Sequence, residues 1–215
     1  MNGTTVILAN GALPVHPVPV GIFAAAGRVV CCDGAYAKSK VLGRDPDLVV
    51  GDGDSLSSEE KTALGARYVR IAEQETNDLA KAFREVVSRY GADGIAILGA
   101  DGLREDHFLG NVFRLLEFSQ LAPDCRLVTN AGTFSVVVDE STMRCCPGEA
   151  VSVFAPTAGT RVESTGLAWP LGGVDLTALW SGTLNRAIGN SFTLSTSSPI
   201  IVYRPHSAVN FAGRI

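Results

Sequence analysis

Short, nearly unbroken apolar runs alternate with segments of helical period through the first part of the chain. Thr5–Ala9, Arg28–Cys32, Asp47–Val50, Arg67–Ala72, Gly94–Leu98 and Arg126–Thr129 are rich in Val, Ile and Leu, the pattern of strands buried on both faces. Between them, Leu79, Phe83, Val86, Val87 and Tyr90 share one helical face, with Thr76 or Asn77 as N-cap and Gly91 just past the end. Phe108, Val112, Leu115 and Leu116 repeat that geometry ahead of Pro123. This alternation predicts an α/β domain with a mostly parallel sheet and flanking helices.

The pattern then changes. Phe134–Val138, Ala150–Phe154, Gly159–Glu163, Asp175–Trp180, Ser191–Ser195 and Ile200–Tyr203 read as short strands punctuated by Gly, Pro or Ser, with no comparable helical stretch. They predict a small all-β sandwich or barrel, with Trp180 in its core. Charge follows the same division. Residues 1–135 carry 17 acidic and 13 basic side chains, whereas the remaining 80 carry 5 of each and no lysine. The expected domains are therefore 1–135 and 136–215.

Composition narrows the function. A chain of 215 residues, 46% hydrophobic and 19% charged, can bury a core and is not disordered. A net charge of −4 argues against nucleic acid as a partner, which requires a basic face. No apolar run is long enough to cross a bilayer, and the amino terminus has neither the basic region nor the cleavage site of a signal peptide. Five cysteines, two pairs of them adjacent, lack any C-x-x-C spacing. They read as buried structural thiols of a cytoplasmic protein.

The chemistry gathers where the strands end. Each predicted strand of the first domain runs into a polar cluster: Asn10-Gly11, Asp33-Gly34, Gly51-Asp52-Gly53-Asp54-Ser55, Gln74-Glu75-Thr76-Asn77-Asp78, and Gly99 through His107. In an open α/β sheet these ends form the ligand-binding rim. Aspartates crowded on one rim repel one another unless a cation intervenes, and hard oxygen ligands select Mg²⁺ or Ca²⁺. His107 and Asn111, four apart, share a face of the following helix. Individual members have ordinary readings: Asp93-Gly94 and Asp101-Gly102 as turns, Asp78 as a helix-dipole partner, Lys81 and Arg84 as solvated charges. Five clusters on one rim do not. The chain has no P-loop, no dinucleotide fingerprint, no EF-hand loop and no G-x-S-x-G elbow.

Asp33-Gly34-Ala35, Gly51-Asp52-Gly53-Asp54-Ser55, Gln74-Glu75-Thr76-Asn77-Asp78-Leu79 and Gly99-Ala100-Asp101-Gly102-Leu103-Arg104-Glu105-Asp106-His107, in that order and spacing, resemble thiamine pyrophosphokinase. Gly166-Leu167-Ala168-Trp169-Pro170-Leu171 and Gly189-Asn190-Ser191-Phe192 are similar, less closely, to that family's β-rich thiamine-binding domain. The resemblance implies pyrophosphoryl transfer from ATP to the hydroxyethyl oxygen of thiamine, giving thiamine diphosphate and AMP. It implies Mg²⁺ held by Asp52, Asp54 and Asp78, with Asp33 at the same rim. Arg104 would stabilise charge on the transferred group, with Asp106 orienting it. Asn10, Ser55, Lys81, His107 and Asn111 complete the expected ATP side. Gln74, Trp169 and Asn190 are the expected thiamine contacts, in a homodimer whose thiamine site draws on both subunits. Asn77 stands where the family usually has threonine and keeps the capping ability. Gly189-Asn190-Ser191 replaces the usual Ser-Asn-Glu. Two competing readings share the first domain: a pyrophosphokinase acting on another heterocyclic alcohol, such as a hydroxymethylpterin, and a non-catalytic nucleotide- or thiamine-binding regulator.

Overall fold

A computed structural model describes residues 3–172, 174–176 and 178–206. They divide into two units, 3–130 and 131–206, each with its own hydrophobic core.

The first unit alternates strand and helix: β1 (Thr5–Leu8), α1 (Pro17–Ala24), β2 (Arg28–Cys32), α2 (Tyr36–Val41), β3 (Leu48–Gly51), α3 (Ser58–Leu64), β4 (Tyr68–Arg70), α4 (Asp78–Tyr90), β5 (Ile95–Leu98), α5 (Glu105–Phe118) and β6 (Arg126–Val128). The strands pair in parallel in the order β6-β5-β1-β2-β3-β4. Every residue of β1, β3 and β5 is buried, because helices cover both faces of a parallel sheet. Successive side chains point to opposite faces. Val6 and Leu8 therefore join Val29, Cys31, Val49 and Leu98 in one core cluster. Elsewhere Phe83 of α4 stacks on Phe118 of α5, with ring centroids 4.0 Å apart.

Both predicted helices are present. Of the two candidate caps for α4, Asn77 takes the position, its Oδ1 accepting from the Ala80 N–H at 3.0 Å. The short helices α1, α2 and α3 were not evident from hydrophobic period. A helix of six to eight residues makes barely two turns, too few to display one.

The second unit is all β: β7 (Gly132–Val137), β8 (Glu140–Arg144), β9 (Ala150–Phe154), β10 (Arg161–Thr165), β11 (Val174–Asp175), β12 (Gly182–Arg186), β13 (Ser191–Thr196) and β14 (Ile200–Pro205). Antiparallel pairing joins β12-β9-β14-β7 and, separately, β11-β10-β13-β8. Val151, Val153, Val162, Phe192, Leu194 and Val202 form its core; in β9, β10 and β13 they alternate with more exposed neighbours as half-buried strands do, whereas β14 buries Ile200, Ile201 and Val202 in succession.

Three expectations need correction. Strands β8 and β12 were not foreseen. In β8 the sequence Glu-Ser-Thr-Met-Arg offers no apolar run, and pairing with β13 creates the strand. In β12 the pattern is inverted: Leu184 is exposed with φ 62°, while Asn185 is buried and bonded to the Trp169 backbone. A bulge between Gly182 and Asn185 shifts the register there. The expected strand Asp175–Trp180 ends at Asp175, residue 177 lies outside the described residues, and Trp180 is 71% exposed rather than in the core. Of the five cysteines, Cys31, Cys32 and Cys125 are buried, but Cys145 is only partly covered and Cys146 is exposed.

Candidate active site

In the first unit β2, β3 and β4 extend from one side of β1, and β5 and β6 from the other. The loops leaving β1 and β5 stay joined, the Gly11 N–H donating to the Gly99 carbonyl and the Ala12 N–H to the Asp101 carbonyl, and a crevice opens beside them at the carboxyl ends of the strands. A cavity of about 400 Å³ lies there. The end of β1 contributes Ala9, Asn10 and Gly11, β2 contributes Cys32, and the loop after β3 contributes Asp52. The loop before α4 and its first turns bring Gln74, Asn77, Asp78 and Lys81. The loop after β5 and the start of α5 bring Asp101, Arg104, His107 and Asn111.

Asp33, at the end of β2, anchors the neighbouring loop. It is 4% exposed, and its Oδ1 accepts from the Gly34 N–H at 2.6 Å and its Oδ2 from the Gly53 N–H at 2.9 Å. The fit demands glycine twice. A Cβ on Gly51 would lie 2.7 Å from Asp33 Cγ, and one on Gly53, at φ 88°, would overlap the Tyr68 hydroxyl. Burial pushes the Asp33 carboxyl up, and the negative charges of Asp78 and Asp52 add to that, against the two N–H donors. Asp52 is pushed the other way, first by the Asp54 N–H on Oδ1 at 3.1 Å and then by the Gln74 amide on Oδ2 at 3.1 Å.

Asp78 opens α4, where a carboxylate suits the positive helix end, and Lys81 lies 3.2 Å from its Oδ1. Lys81 is only 2% exposed, so its reading as a solvated charge fails. The Asn77 amide also donates to Asn111 Oδ1 at 3.1 Å, and Asn111 donates to the Ala100 carbonyl at 3.2 Å. The N-terminus of α4 is thereby tied to the loop after β5. Arg104 holds Asp106 through two bonds, at 3.1 and 2.6 Å, and lowers its carboxyl to about 2. Among the described residues, no three His, Cys, Asp or Glu side chains gather as a metal-binding group.

By sequence alone the chain has no significant match among curated proteins. A sequence model of the thiamin pyrophosphokinase catalytic domain matches residues 22–128, and one of the family's substrate-binding domain matches residues 132–203. The chain belongs to the thiamin pyrophosphokinase family. Its fold is similar to that of thiamine pyrophosphokinase from Bacillus subtilis, with 23% identity and a TM-score of 0.80 over 95% of this chain and 99% of that one. Yeast thiamin pyrophosphokinase gives 15% identity and a TM-score of 0.79 over 95% and 86%. A thiamin pyrophosphokinase family protein from Enterococcus faecalis gives 21% and 0.80 over 94% and 99%. With both domains of the thiamin pyrophosphokinase family in one chain, this is an enzyme that pyrophosphorylates thiamine with ATP as co-substrate. The pterin-type and regulatory readings are not favoured.

The cavity brings together Asn10, Asp52, Gln74, Asp78, Lys81, Arg104, His107 and Asn111 of the residues singled out from sequence. Asp33, Asp54, Ser55 and Asp106 are not on its wall: Asp33 is buried behind the Asp52 loop, and Asp54 and Ser55 are exposed beside it. Trp169 and Asn190 belong to the second unit and are exposed there, Trp169 by 59%. Trp169 is thus not a core side chain of the second unit. Sequence reasoning missed Lys38, whose ammonium donates to the Asn10 carbonyl at 2.9 Å, to Asn10 Oδ1 at 2.8 Å and to the Gly11 carbonyl. It also missed Glu73, which begins the Gln74 cluster one residue earlier than the motif does.

Two outcomes follow from this geometry. Asp33→Asn turns an N–H donor toward a backbone N–H and is expected to cost about 1–3 kcal/mol, read by chemical denaturation; an unchanged midpoint would refute the anchoring role. Asp106 should titrate at about 2 by carbon-detected NMR and return toward the ordinary carboxylate range in Arg104→Gln. A lowered carboxyl stabilises the fold in its ionised form, so this contribution is complete above the ordinary range and lost as pH falls through about 2. An ordinary midpoint in the unaltered protein would show that the pair does not persist in solution.

Proposed function

We propose that the crevice of the first unit binds MgATP and brings its β-phosphorus to the hydroxyethyl oxygen of thiamine. The observation that carries this reading is the pairing of two carboxylates, Asp52 and Asp78, with two cations, Lys81 and Arg104, around one cavity at the carboxyl rim. Mg²⁺ commonly takes one or two protein carboxylates and completes its shell with phosphate oxygens and water. Asp52 and Asp78, two of the three carboxylates on the wall with Asp101, fit that demand. Asp52 and Asp78 would hold the ion, with Asp54 beside them on the exposed side of the loop. When bound, Mg²⁺ supplies charge neutralisation on the phosphate oxygens.

The chain's own residues supply the rest. Phosphoryl transfer is mainly positioning and electrostatic stabilisation. The oxygen–phosphorus bond to thiamine forms at the β-phosphorus, the bond from that phosphorus to the α,β-bridging oxygen breaks, and AMP leaves with the electron pair. Arg104, oriented by Asp106, stabilises the charge on the transferred group, and Lys81 offsets the charge of Asp78. The hydroxyl proton needs an acceptor. Both oxygens of Asp33 are occupied by backbone N–H groups and Asp106 is paired with Arg104, whereas Asp78 is engaged through Oδ1 alone among the described contacts. Asp78 therefore keeps one oxygen for the ion, and the hydroxyl proton passes to water in the crevice. His107, Asn111 and Asn10 bind the nucleotide. Ser55 is exposed on the Asp54 side of the loop and serves the ATP side from there.

Gln74 faces thiamine from the first unit. Trp169, with its ring uncovered, offers a cation–π surface to the thiazolium, a contact of about 0.5–2 kcal/mol, and Asn190 offers a polar contact. A homodimer is supported by exposed apolar side chains on and around β12, an edge strand: Trp180, Leu184 and Ile188 are 71%, 83% and 65% exposed. Such clusters mark interaction surfaces. Five free thiols suit a reducing cytoplasm.

Purified protein given MgATP and thiamine should yield AMP and thiamine diphosphate together. Asp52→Asn and Asp78→Asn should each lower turnover by about 10³-fold or more, with an unchanged melting temperature in Asp52→Asn and a lowered one in Asp78→Asn, where buried Lys81 loses its partner. Near-normal turnover in either variant, or ADP with thiamine monophosphate as products, would overturn the scheme. Light scattering should return twice the 22.5 kDa chain mass; a single-chain mass at micromolar concentration would remove the dimer.

A further inference from the structure

Gln74 sits on a loop between β4 and α4 with no helix or strand of its own, yet its amide reaches Asp52. The bonds that shape this loop come from a side chain with no place in the reaction described above. Glu73 Oε2 accepts from the Glu75 N–H at 2.7 Å and from the Thr76 N–H at 3.0 Å, closing the chain around Gln74. Its Oε1 accepts from the Thr76 hydroxyl at 2.5 Å and from Arg84 at 3.0 Å. The same Arg84 nitrogen donates to Thr76 Oγ1 at 2.5 Å. Arg84 lies inside α4, a 13-residue helix packed on the sheet. The loop is thus fastened to a rigid element by a charge-assisted network rather than by its own backbone.

We propose that Glu73, locked by Thr76 and Arg84, is a positioning residue that aims Gln74 and so sets the affinity of the site for its alcohol substrate, thiamine. This rests on the reading that Gln74 faces thiamine. The geometry also separates the two substrates. Asp78 is placed independently of the clamp, by the Asn77 cap and the Asn77–Asn111–Ala100 chain of bonds. Asp52 keeps its bond from the Asp54 N–H even without Gln74. Loosening Glu73 should therefore disturb thiamine and spare ATP. An ordinary surface ion pair predicts something else, a slight loss of stability with no preference between substrates.

The test is steady-state kinetics on the full chain. Glu73→Gln should raise the KM for thiamine about tenfold and Arg84→Met about threefold, with the KM for MgATP and kcat within about twofold of the parent. Arg84→Lys, which can still donate to Glu73, should restore most of the thiamine affinity. Calorimetric titration of thiamine into protein holding Mg²⁺ and α,β-methylene-ATP should show the same ranking. Gln74→Ala is the control for the underlying reading. If Gln74→Ala raises the thiamine KM and Glu73→Gln and Arg84→Met do not, the clamp is refuted while the role of Gln74 stands. If Gln74→Ala leaves that KM unchanged, the role of Gln74 fails and the proposal falls with it. If both KM values rise together with a lowered melting temperature, the network is structural only and the proposal is overturned. Should Glu73→Gln not fold, the Arg84 pair of variants decides the matter alone.

Discussion

Carboxylates that must stand close together repel, and this constraint organises the first unit. Asp33 at the end of β2 feels the charges of Asp78 at the start of α4 and of Asp52 after β3, and each of the three is accommodated differently. Asp33 is withdrawn from solvent and held by two backbone N–H groups, at the cost of a raised carboxyl. Asp52 remains at the cavity wall with an N–H and an amide on its two oxygens. Asp78 takes the positive end of α4 and an almost fully buried lysine. Glycine at 51 follows from the first of these solutions, because the loop must pass against the buried Asp33 side chain, whereas glycine at 53 answers to the Tyr68 hydroxyl and a left-handed backbone.

The α/β unit was largely legible because its strands are buried on both faces and its two long helices display full apolar stripes. Those signals are local. The second unit was only partly legible, since its edges are made by pairing rather than by composition. Glu140–Arg144 has no strand-like polarity pattern of its own, and β12 turns Leu184 outward and Asn185 inward to satisfy the Trp169 backbone. Trp180 was misplaced for the same reason: a large aromatic residue near a predicted strand says nothing about which side of a turn it occupies.

At the candidate site, legibility followed charge and motif order rather than geometry. The aspartates announced themselves by clustering at strand ends. Lys38 and Glu73 did not, because each acts through backbone atoms of a distant or irregular segment. Lys38 satisfies three neutral oxygens across a gap of 28 residues, and no spacing rule reports such a contact. Lys81 and Arg84 stand one turn apart and look alike in sequence, yet one is buried under Asp78 and the other fastens a loop at the surface.

The groups around the cavity thus fall into those the fold has already neutralised and those it has left for a ligand. Asp33, Asp106 and Glu73 are saturated by N–H, guanidinium or hydroxyl donors in the protein itself. They can orient neighbours but have little capacity left for chemistry. Asp52, like Asp33, has one donor on each oxygen but lies at the open wall within reach of a ligand, and Asp78 presents one oxygen beyond its lysine. Carboxylates left in that state favour a ligand that brings positive charge, and the two cations beside them favour one that brings phosphate. A metal–nucleotide complex carries both together. The saturated set preorganises the crevice before binding, and the unsaturated set selects what enters it. That division explains why the motifs legible from sequence mix catalytic with scaffolding aspartates, although the two are indistinguishable as letters.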